Sequence, residues 1–171
     1  IPSAGLVQVG GEELTSYSKN ELIDFRLKNI GFVFQSYNLI PVLTAFENIE
    51  FVMLLQGRSP RERKERVNEL LNAVGLKGRG GNRPSELSGG QQQRVAVARA
   101  LASKPKFIIA DEPTANLDSK SAATLLDIMQ KLNEKEGITF LFSTHDQRVI
   151  DRARRVVTLT DGVITEDKII A

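Results

Sequence analysis

The stretch Phe107-Ile108-Ile109-Ala110-Asp111-Glu112 decides the fold class of this chain. Four consecutive apolar residues with polar neighbours are typical of a strand that is covered on both faces of a parallel sheet. Two carboxylates follow at once, and they are expected at the carboxyl edge of that sheet, where open α/β folds bind ligands. Asp111 could hold Mg²⁺, and Glu112 could be the general base that polarises an attacking water. A strand that simply ends in two solvated acids is an equally good interpretation of this stretch alone.

Strands and helices alternate after this stretch. Ser119 to Glu136 repeats its apolar residues at helical spacing, and Gly137 can end the helix. Thr139 to Phe142 predicts a second buried strand, and Asp161-Gly162 between two apolar runs predicts a hairpin. This order of elements, with buried strands, favours an α/β architecture built on a parallel sheet.

The region before the stretch is mostly helical. Ile30 to Phe34 predicts a strand that ends at Gln35, and Leu6 to Val9 predicts a short strand before a Gly-Gly turn. From Gln35 to about Ser103 the apolar spacing is helical. A hydroxyl residue three positions before Glu or Gln marks a capping box at a helix start. This pattern occurs at Thr44 with Glu47, at Ser59 with Glu62 and at Ser88 with Gln91.

A second candidate site lies at the last of these helix starts. In Ser88-Gly89-Gly90-Gln91, two glycines leave backbone N–H groups open at a helix N-terminus, where a partial positive charge attracts anions. The Ser88 hydroxyl is a further donor, so this segment could bind a terminal phosphate. Taken alone, a loop followed by an ordinary helix cap is the more common explanation.

Three further polar residues stand where ligand chemistry is possible. Gln35 could bind Mg²⁺ and orient a water through its amide, although a polar strand end is the simpler explanation. His145, the single histidine, could hydrogen-bond a phosphate, although a lone histidine is more often structural. Asp118 precedes the helix that starts at Ser119 and is expected to cap it, whatever else it does.

In this order, the motifs resemble those of the ABC ATPase family, and the resemblance covers nearly the whole chain. Gln35 is similar to the Q-loop glutamine of that family, and Leu87–Gln91 matches its signature motif without a mismatch. Asp111 and Glu112 resemble the Walker B aspartate and the catalytic glutamate. The remaining matches are Pro113–Asp118 with the D-loop and His145 with the switch histidine.

The resemblance implies a P-loop NTPase (RecA-like) core with a parallel sheet and an inserted ABC helical subdomain. Residues 1–35 and 104–171 would belong to the ATP-binding core, and residues 36–103 would form the helical subdomain that ends in the signature helix. ATP and Mg²⁺ are the implied cofactors. Glu112 and His145 would be catalytic, and Asp111 and Gln35 would hold Mg²⁺. The residues implied to contact the nucleotide are Gln35, Ser88, Gly89, Gly90, Gln91 and Asp118.

The resemblance also implies partners. Two subunits of this family sandwich two ATP molecules, so a homodimer attached to transmembrane permease subunits is expected at the cytoplasmic face of the membrane. Residues 36–50 would form the groove for a cytoplasmic helix of the permease, with Leu43 and Phe46 either as anchors or packed within the subdomain. Phe32–Pro41 is similar to the lipoprotein-release, macrolide-export and antimicrobial-peptide-export ATPases. The implied activity is ATP hydrolysis coupled to export or extraction.

The phosphate-binding loop of the family, Gly-x-x-x-x-Gly-Lys-Ser/Thr, does not occur in the 171 residues. Gly75–Gly80 is glycine-rich but is followed by Gly81 and Asn82, without the lysine. Ile1–Gly5 resembles the segment that follows the phosphate-loop helix, so we expect an N-terminally truncated chain that lacks the first strands and this helix. Without the loop, we expect no appreciable ATPase activity.

Composition narrows the alternatives. The formal net charge is +2, which gives no argument for a nucleic acid partner. The absence of cysteine excludes disulfides and thiolate catalysis, and no run approaches the roughly 20 apolar residues of a membrane span. A soluble ABC ATPase of the DNA-repair or translation type remains an alternative, although its coiled coils or tandem cassettes are not present. A non-enzymatic remnant that only binds a partner is the other alternative.

Overall fold

The computed structural model describes residues 4–170, so Ile1–Ser3, part of the segment interpreted as following the phosphate-loop helix, lie outside the described residues. The elements in chain order are β1 (Gln8–Val9), β2 (Glu12–Glu13), α1 (Lys19–Asn29), β3 (Ile30–Val33), α2 (Ala45–Leu55), α3 (Pro60–Ala73), a 3₁₀ turn (Pro84–Glu86), α4 (Gly89–Ala102), β4 (Phe107–Asp111), α5 (Ser119–Glu136), β5 (Thr139–Ser143), α6 (Gln147–Ile150), β6 (Arg155–Thr160) and β7 (Val163–Ile169).

A parallel sheet of three strands, in the order β3-β4-β5, carries the candidate site. Val33 pairs with Ala110, and Ala110 pairs with Phe142, so all three strands end at the same edge. The expected α/β class with a parallel sheet is therefore confirmed. β3 ends at Val33 rather than at Phe34, and Gln35 lies in the loop beyond it.

One face of this sheet packs against α4. Val33, Ile108 and Ala110 on that face are fully buried. Gly31 allows the close approach, because a Cβ atom there would lie 2.5 Å from the Ala100 carbonyl oxygen on α4. The backbone of β3 and the backbone of α4 thus touch at one point, and any larger residue at position 31 would separate them.

The opposite face of the sheet is open among residues 4–170. Phe32, Ile109 and Leu141 lie side by side in the strand register, and Phe32 and Leu141 are 40% and 58% exposed. The expectation that Thr139 to Phe142 is a buried strand is therefore wrong. The cover on both faces expected of Phe107 to Ala110 is also incomplete, because Phe107 and Ile109 are half-buried. Apolar composition indicates a strand, but burial of each face depends on another element lying over it, and no described element covers this face.

The helical region, residues 45–102, follows its sequence signals closely. Each of the capping boxes expected at Thr44, Ser59 and Ser88 is formed, with the hydroxyl accepting from the third backbone N–H and the Glu or Gln returning a bond. Helices α2, α3 and α4 pack on one another around Ile49, Val67, Leu70, Val74, Val95 and Leu101, all fully buried.

Helix α1 was not anticipated from the sequence. Ser18 and Glu21 form a fourth capping box at its start, so the local signal was present. The helix buries only Phe25, which leaves it without an apolar stripe at helical spacing.

Two hairpins flank the sheet. β1 pairs with β2 through the Gly10-Gly11 turn, and β6 pairs with β7 through Asp161-Gly162, as expected. Both residues of the second turn have positive φ, at 51° and 79°, as a two-residue hairpin turn requires. All of β7 is exposed. Among the described helices, none combines the length and the apolar character needed to cross a bilayer.

Candidate functional site

Glu112 occupies the first position after β4 in a left-handed backbone conformation, with φ of 42°. Its N–H donates to the carbonyl oxygen of Ser143 at the end of β5, at 2.9 Å. A non-glycine residue in this region of φ/ψ space is uncommon and is often found at functional sites. The turn aims the Glu112 side chain across the sheet edge towards the loop that follows β5.

The Glu112 carboxylate is fully engaged by that loop. His145 Nδ1 lies 2.6 Å from Glu112 Oε1, and the His145 backbone N–H donates to the same oxygen at 3.2 Å. The Thr144 hydroxyl donates to Oε2 at 2.9 Å. The Glu112 side chain is 20% exposed, whereas the His145 side chain is 90% exposed. The imidazole therefore stands in front of the carboxylate, open to a ligand.

A second polar pair lies beside this one and was missed from the sequence. The fully buried Thr114 donates its hydroxyl to Asp146 Oδ2 at 2.7 Å. The guanidinium and the backbone N–H of Arg148 donate to the same carboxylate, and they hold the pKa of Asp146 well below its usual range. The polar run Ser143–Asp146 after a strand was the only sequence signal for it. The pair fixes the His145 loop against the turn that follows Glu112.

Asp111 and Gln35 also lie at this edge. Asp111 is exposed and pairs with Ser143 in the strand register. Gln35 is exposed, and its carbonyl oxygen accepts from the Asn116 side chain at 3.0 Å. No group of three or more metal-ligating side chains occurs in residues 4–170. Mg²⁺ commonly takes only one or two carboxylates together with water and substrate phosphates, so Asp111 fits a Mg²⁺–nucleotide and not a free-standing metal centre.

The segment Ser88–Gln91 lies at the N-terminus of α4, where its glycines face Tyr37 and Ser121. The Ser88 hydroxyl caps Gln91 N–H, while Gln91 Oε1 accepts from Ser88 N–H at 2.9 Å. A Cβ at Gly89 would lie 2.8 Å from the Tyr37 hydroxyl, and a Cβ at Gly90 would lie 3.1 Å from the Ser121 hydroxyl. The two glycines are therefore needed for close approach of these hydroxyls.

Asp118 caps α5, as expected. Its carboxylate accepts from the Lys120 and Ser121 backbone N–H groups at 3.0 and 2.9 Å, and from the Ser121 hydroxyl at 2.6 Å. The Ser121 hydrogen bonds lower the pKa of Asp118. Because Ser121 also faces Gly90, the cap of α5 lies next to the start of α4.

The candidate residues thus form two groups. One group joins Glu112 and His145 at the sheet edge, with Asp111 next in sequence. The other brings Ser88–Gln91 beside Ser121 and the Asp118 cap. Gln35 is tied through its backbone to Asn116, in the turn between the two groups.

Gln93 on α4 was also missed from the sequence. It is fully buried, and its Nε2 donates to the carbonyl oxygens of Pro113 at 2.8 Å and of Phe34 at 3.3 Å. These carbonyls belong to the residues that follow Glu112 and precede Gln35. A glutamine inside a helix carries no sequence signal for such a role, because its partners are distant in the chain.

A surface cleft of about 640 Å³ lies beside part of the 36–50 segment. Its lining includes Thr44, Phe46 and Glu47 on one side and Asn68 and Leu71 on the other. Phe46 is half-buried, packs against the core and also lines the cleft. Leu43 is half-buried and does not line the cleft.

Comparisons with known proteins identify the family of this chain. The family model described as "ABC transporter" matches residues 1–115. The chain is 45% identical to the ABC transporter ATP-binding protein YtrE of Bacillus subtilis, over 95% of this chain and 71% of that protein. It is 38% identical to the lipoprotein-releasing system ATP-binding protein LolD of Idiomarina loihiensis, over 98% and 73%. It is 43% identical to the macrolide export ATP-binding/permease protein MacB of Rhodopseudomonas palustris, over 98% of this chain and 26% of that protein.

Among solved structures, the chain is similar to the dimeric ATP-binding cassette MJ0796 in a post-hydrolysis state bound to ADP and Pi. The TM-score is 0.88 at 40% identity, covering 99% of this chain and 75% of that one. The resemblance to the lipoprotein-release and macrolide-export group is confirmed by the relatives named above. By its fold and its relatives, this chain belongs to the ABC transporter family as an ATP-binding domain.

Proposed function

We propose that this chain is the ATP-binding part of an ABC exporter or extractor, in which Glu112 acts as the general base for ATP hydrolysis. The observation that carries the proposal is the 2.6 Å contact between Glu112 Oε1 and His145 Nδ1 at the carboxyl edge of the parallel sheet. A base must be held in place beside the reacting group, and here three donors from one loop orient the carboxylate.

The other roles follow from position. His145 is exposed in front of Glu112, where its imidazole can hydrogen-bond a terminal phosphate. Asp111 and the Gln35 amide are the ligands that this chain offers to Mg²⁺. When bound with ATP, Mg²⁺ supplies charge neutralisation on the phosphate oxygens.

A dimer explains why the candidate residues form two groups. Ser88–Gln91 and Asp118 lie beside Ser121, whereas Glu112 contacts His145. We propose that Ser88, Gly89, Gly90 and Gln91 of one subunit bind the nucleotide held by the other, and that Asp118 lies near this interface. The dimeric assembly of the MJ0796 cassette supports this arrangement. The division into 1–35, 36–103 and 104–171 is part of the same proposal.

The absence of Gly-x-x-x-x-Gly-Lys-Ser/Thr from the 171 residues leads us to propose that this chain alone does not hydrolyse ATP. Phosphate release from Mg²⁺–ATP should equal the buffer background. Turnover that disappears in Glu112→Gln would contradict this part of the proposal.

The catalytic roles are tested in a chimera that places a cassette segment containing Gly-x-x-x-x-Gly-Lys-Ser/Thr before residue 1. We expect this chimera to hydrolyse ATP, and we expect Glu112→Gln to reduce the rate by about 10²–10⁴-fold, as loss of a general base does. The matched control is Glu134→Gln, an exposed glutamate on α5. If Glu112→Gln hydrolyses ATP as fast as Glu134→Gln, Glu112 is not the base.

We further propose that residues 36–50 and the cleft beside Phe46 bind a cytoplasmic helix of a permease. This contact would hold the domain at the cytoplasmic face of the membrane. The relative MacB, named as an ATP-binding/permease protein, supports this partner. A labelled peptide of a permease cytoplasmic helix should bind the chain and lose affinity in Phe46→Asp. The control is Phe51→Asp, because Phe51 is 39% exposed on the same helix but does not line the cleft. Equal loss in both variants would contradict the site.

A second candidate is a partner-only role, favoured by an intact Ser88–Gln91 segment in a chain without the phosphate loop. The Ser88–Gln91 segment of such a chain would bind the nucleotide that an intact cassette holds. Added to a cassette whose own signature serine is replaced, it should restore hydrolysis, and its Ser88→Ala variant should not. No restoration by either chain would exclude this role.

A further inference from the structure

The loop after β3 has an unusual backbone. Tyr37 and Asn38 are consecutive left-handed residues, with φ of 60° and 47°. Asparagine tolerates this conformation, but a bulky tyrosine in it costs free energy. Such a turn persists only where the surrounding structure holds it, so the contacts of this loop identify what holds it.

Arg99, near the end of α4, makes the contacts that hold this turn. Its Nη1 donates to the Asn38 carbonyl oxygen at 2.5 Å, and its Nη2 donates to the Tyr37 carbonyl oxygen at 2.9 Å. Burial lowers the pKa of Arg99. No carboxylate among residues 4–170 forms a salt bridge with this guanidinium. A half-buried cation without a carboxylate partner is costly, and two of its donors are used on the strained turn.

The residues before the turn, from Phe34 to Tyr37, are also held by hydrogen bonds. Gln93 donates to the Phe34 carbonyl oxygen at 3.3 Å, and Asn116 donates to the Gln35 carbonyl oxygen at 3.0 Å. The Tyr37 hydroxyl donates to the Asn116 carbonyl oxygen at 3.4 Å. Helix α4 therefore binds both ends of the loop, through Gln93 at one end and Arg99 at the other.

We propose that Arg99 is a positioning residue, which fixes the left-handed turn at Tyr37 and Asn38 and thereby sets the direction of the Gln35 amide. The functional importance of that direction depends on the role proposed for Gln35. The hydrogen bonds by which Arg99 holds the loop do not depend on that role. Because Ser88 caps the N-terminus of α4, one rigid helix links the Ser88–Gln91 segment to the Gln35 loop. A displacement of α4 would move both.

Tyrosine fluorescence tests this inference directly in the full chain, because it contains two tyrosines and no tryptophan. In a Tyr17→Phe background, the steady-state anisotropy of Tyr37 reports the rigidity of the turn. Arg99→Met keeps the apolar stem but removes both donors, and we expect the anisotropy to fall and acrylamide quenching to rise. The matched control is Arg94→Met on the same helix, since Arg94 donates to the Gly90 and Val74 carbonyl oxygens instead.

Thermal unfolding of each variant separates a local effect from a general one. If Arg94→Met lowers the Tyr37 anisotropy as much as Arg99→Met does, Arg99 acts only through the packing of α4 and the inference is wrong. Arg99→Lys keeps the charge but offers one nitrogen to two carbonyl oxygens. We therefore expect a smaller fall in the Tyr37 anisotropy than in Arg99→Met. If Arg99→Met does not fold, Arg99→Lys decides the question, and an anisotropy equal to that of the Tyr17→Phe parent overturns the inference. None of these readouts requires ATP hydrolysis, so failure here is distinct from failure of the proposed function.

Discussion

The helical region and the parallel sheet differ in how completely they bury their apolar residues. On α2, α3 and α4, the large apolar side chains between the helices are fully buried, as at Ile49 and Leu70. On the sheet, one face is as well packed, but the other leaves Phe32 and Leu141 at 40% and 58% exposed. The helices bury one another's apolar faces, whereas among residues 4–170 a helix covers only one face of the sheet.

This difference shows which parts of the molecule are determined locally. A capping box joins residues three positions apart, so the starts of α1, α2, α3 and α4 are determined by neighbouring residues. Cover for a strand comes from elements that are distant in the chain. The candidate site takes residues from both regions, because Glu112 follows β4 of the sheet and Ser88 caps the helix α4.

The largest expected effect compares two leucines, one from each region. Leu70→Ala removes a fully buried side chain from α3 and should lower the free energy of unfolding by about 2–5 kcal/mol. Leu141→Ala on the open face of β5 should change it by less than about 0.5 kcal/mol. Urea titration of both variants measures their free energies of unfolding. Equal decreases in the two variants would mean that the open face of the sheet is covered in solution.

The second effect concerns the ion pair that links the helical region to α5, the helix that precedes β5. Arg66 on α3 donates to both carboxylate oxygens of Glu136 on α5, at 3.1 and 2.6 Å, and also to the Leu101 carbonyl oxygen. Glu136→Gln leaves the buried guanidinium with less charge compensation and should cost about 1–3 kcal/mol. Glu134→Gln, which removes an exposed carboxylate of the same helix, is the control for urea titration. A loss no larger than that of the control would show that the link contributes nothing.

The third effect tests whether capping is local. Ser59→Ala removes the hydroxyl that caps α3 and should cost about 1 kcal/mol in thermal or urea unfolding. Ser119→Ala in the first turn of α5 is the control, because Asp118 caps that helix. If both substitutions were neutral, the capping box would not be the reason that α3 starts where it does.

The smallest effect is a pH dependence at the sheet edge. The folded protein holds the pKa of Asp146 below its unfolded value of 3.8, chiefly through Arg148. The resulting stabilisation is present above about pH 4 and is lost as the pH falls through the lower folded value. Asp146→Asn should therefore be less stable than the parent at pH 7, by up to about 1 kcal/mol. The gap should narrow in urea titrations below pH 4, and a gap that is constant with pH would contradict this.

The sequence predicted the parts of the fold that local chemistry determines. The starts of α2, α3 and α4 followed from capping boxes, and the turn at Asp161-Gly162 followed from its residues. Helix α1 carried the same signal at Ser18, but without an apolar stripe the pattern was not interpreted as a helix. The open face of β5 could not be predicted, since an apolar strand looks the same whether or not it is covered.

The candidate site was predictable as a set of residues but not as a geometry. The resemblance to the family indicated Glu112 and His145, yet their 2.6 Å contact joins residues 33 positions apart through the register of β4 and β5. Thr114 with Asp146 and the buried Gln93 were missed, because each acts through partners brought close only by the fold.

Amide hydrogen exchange across the chain tests the contrast between the two regions most directly. The account predicts that amides of α4 exchange only through global unfolding, because the helix is buried on several sides. Among the described residues, β5 is an edge strand of the parallel sheet. Its amides on that edge and the amides of the β6–β7 hairpin should exchange through local opening at lower free energy. Protection of the hairpin equal to that of α4 would contradict the account, and would mean that the C-terminal strands are held by contacts that the described residues do not provide.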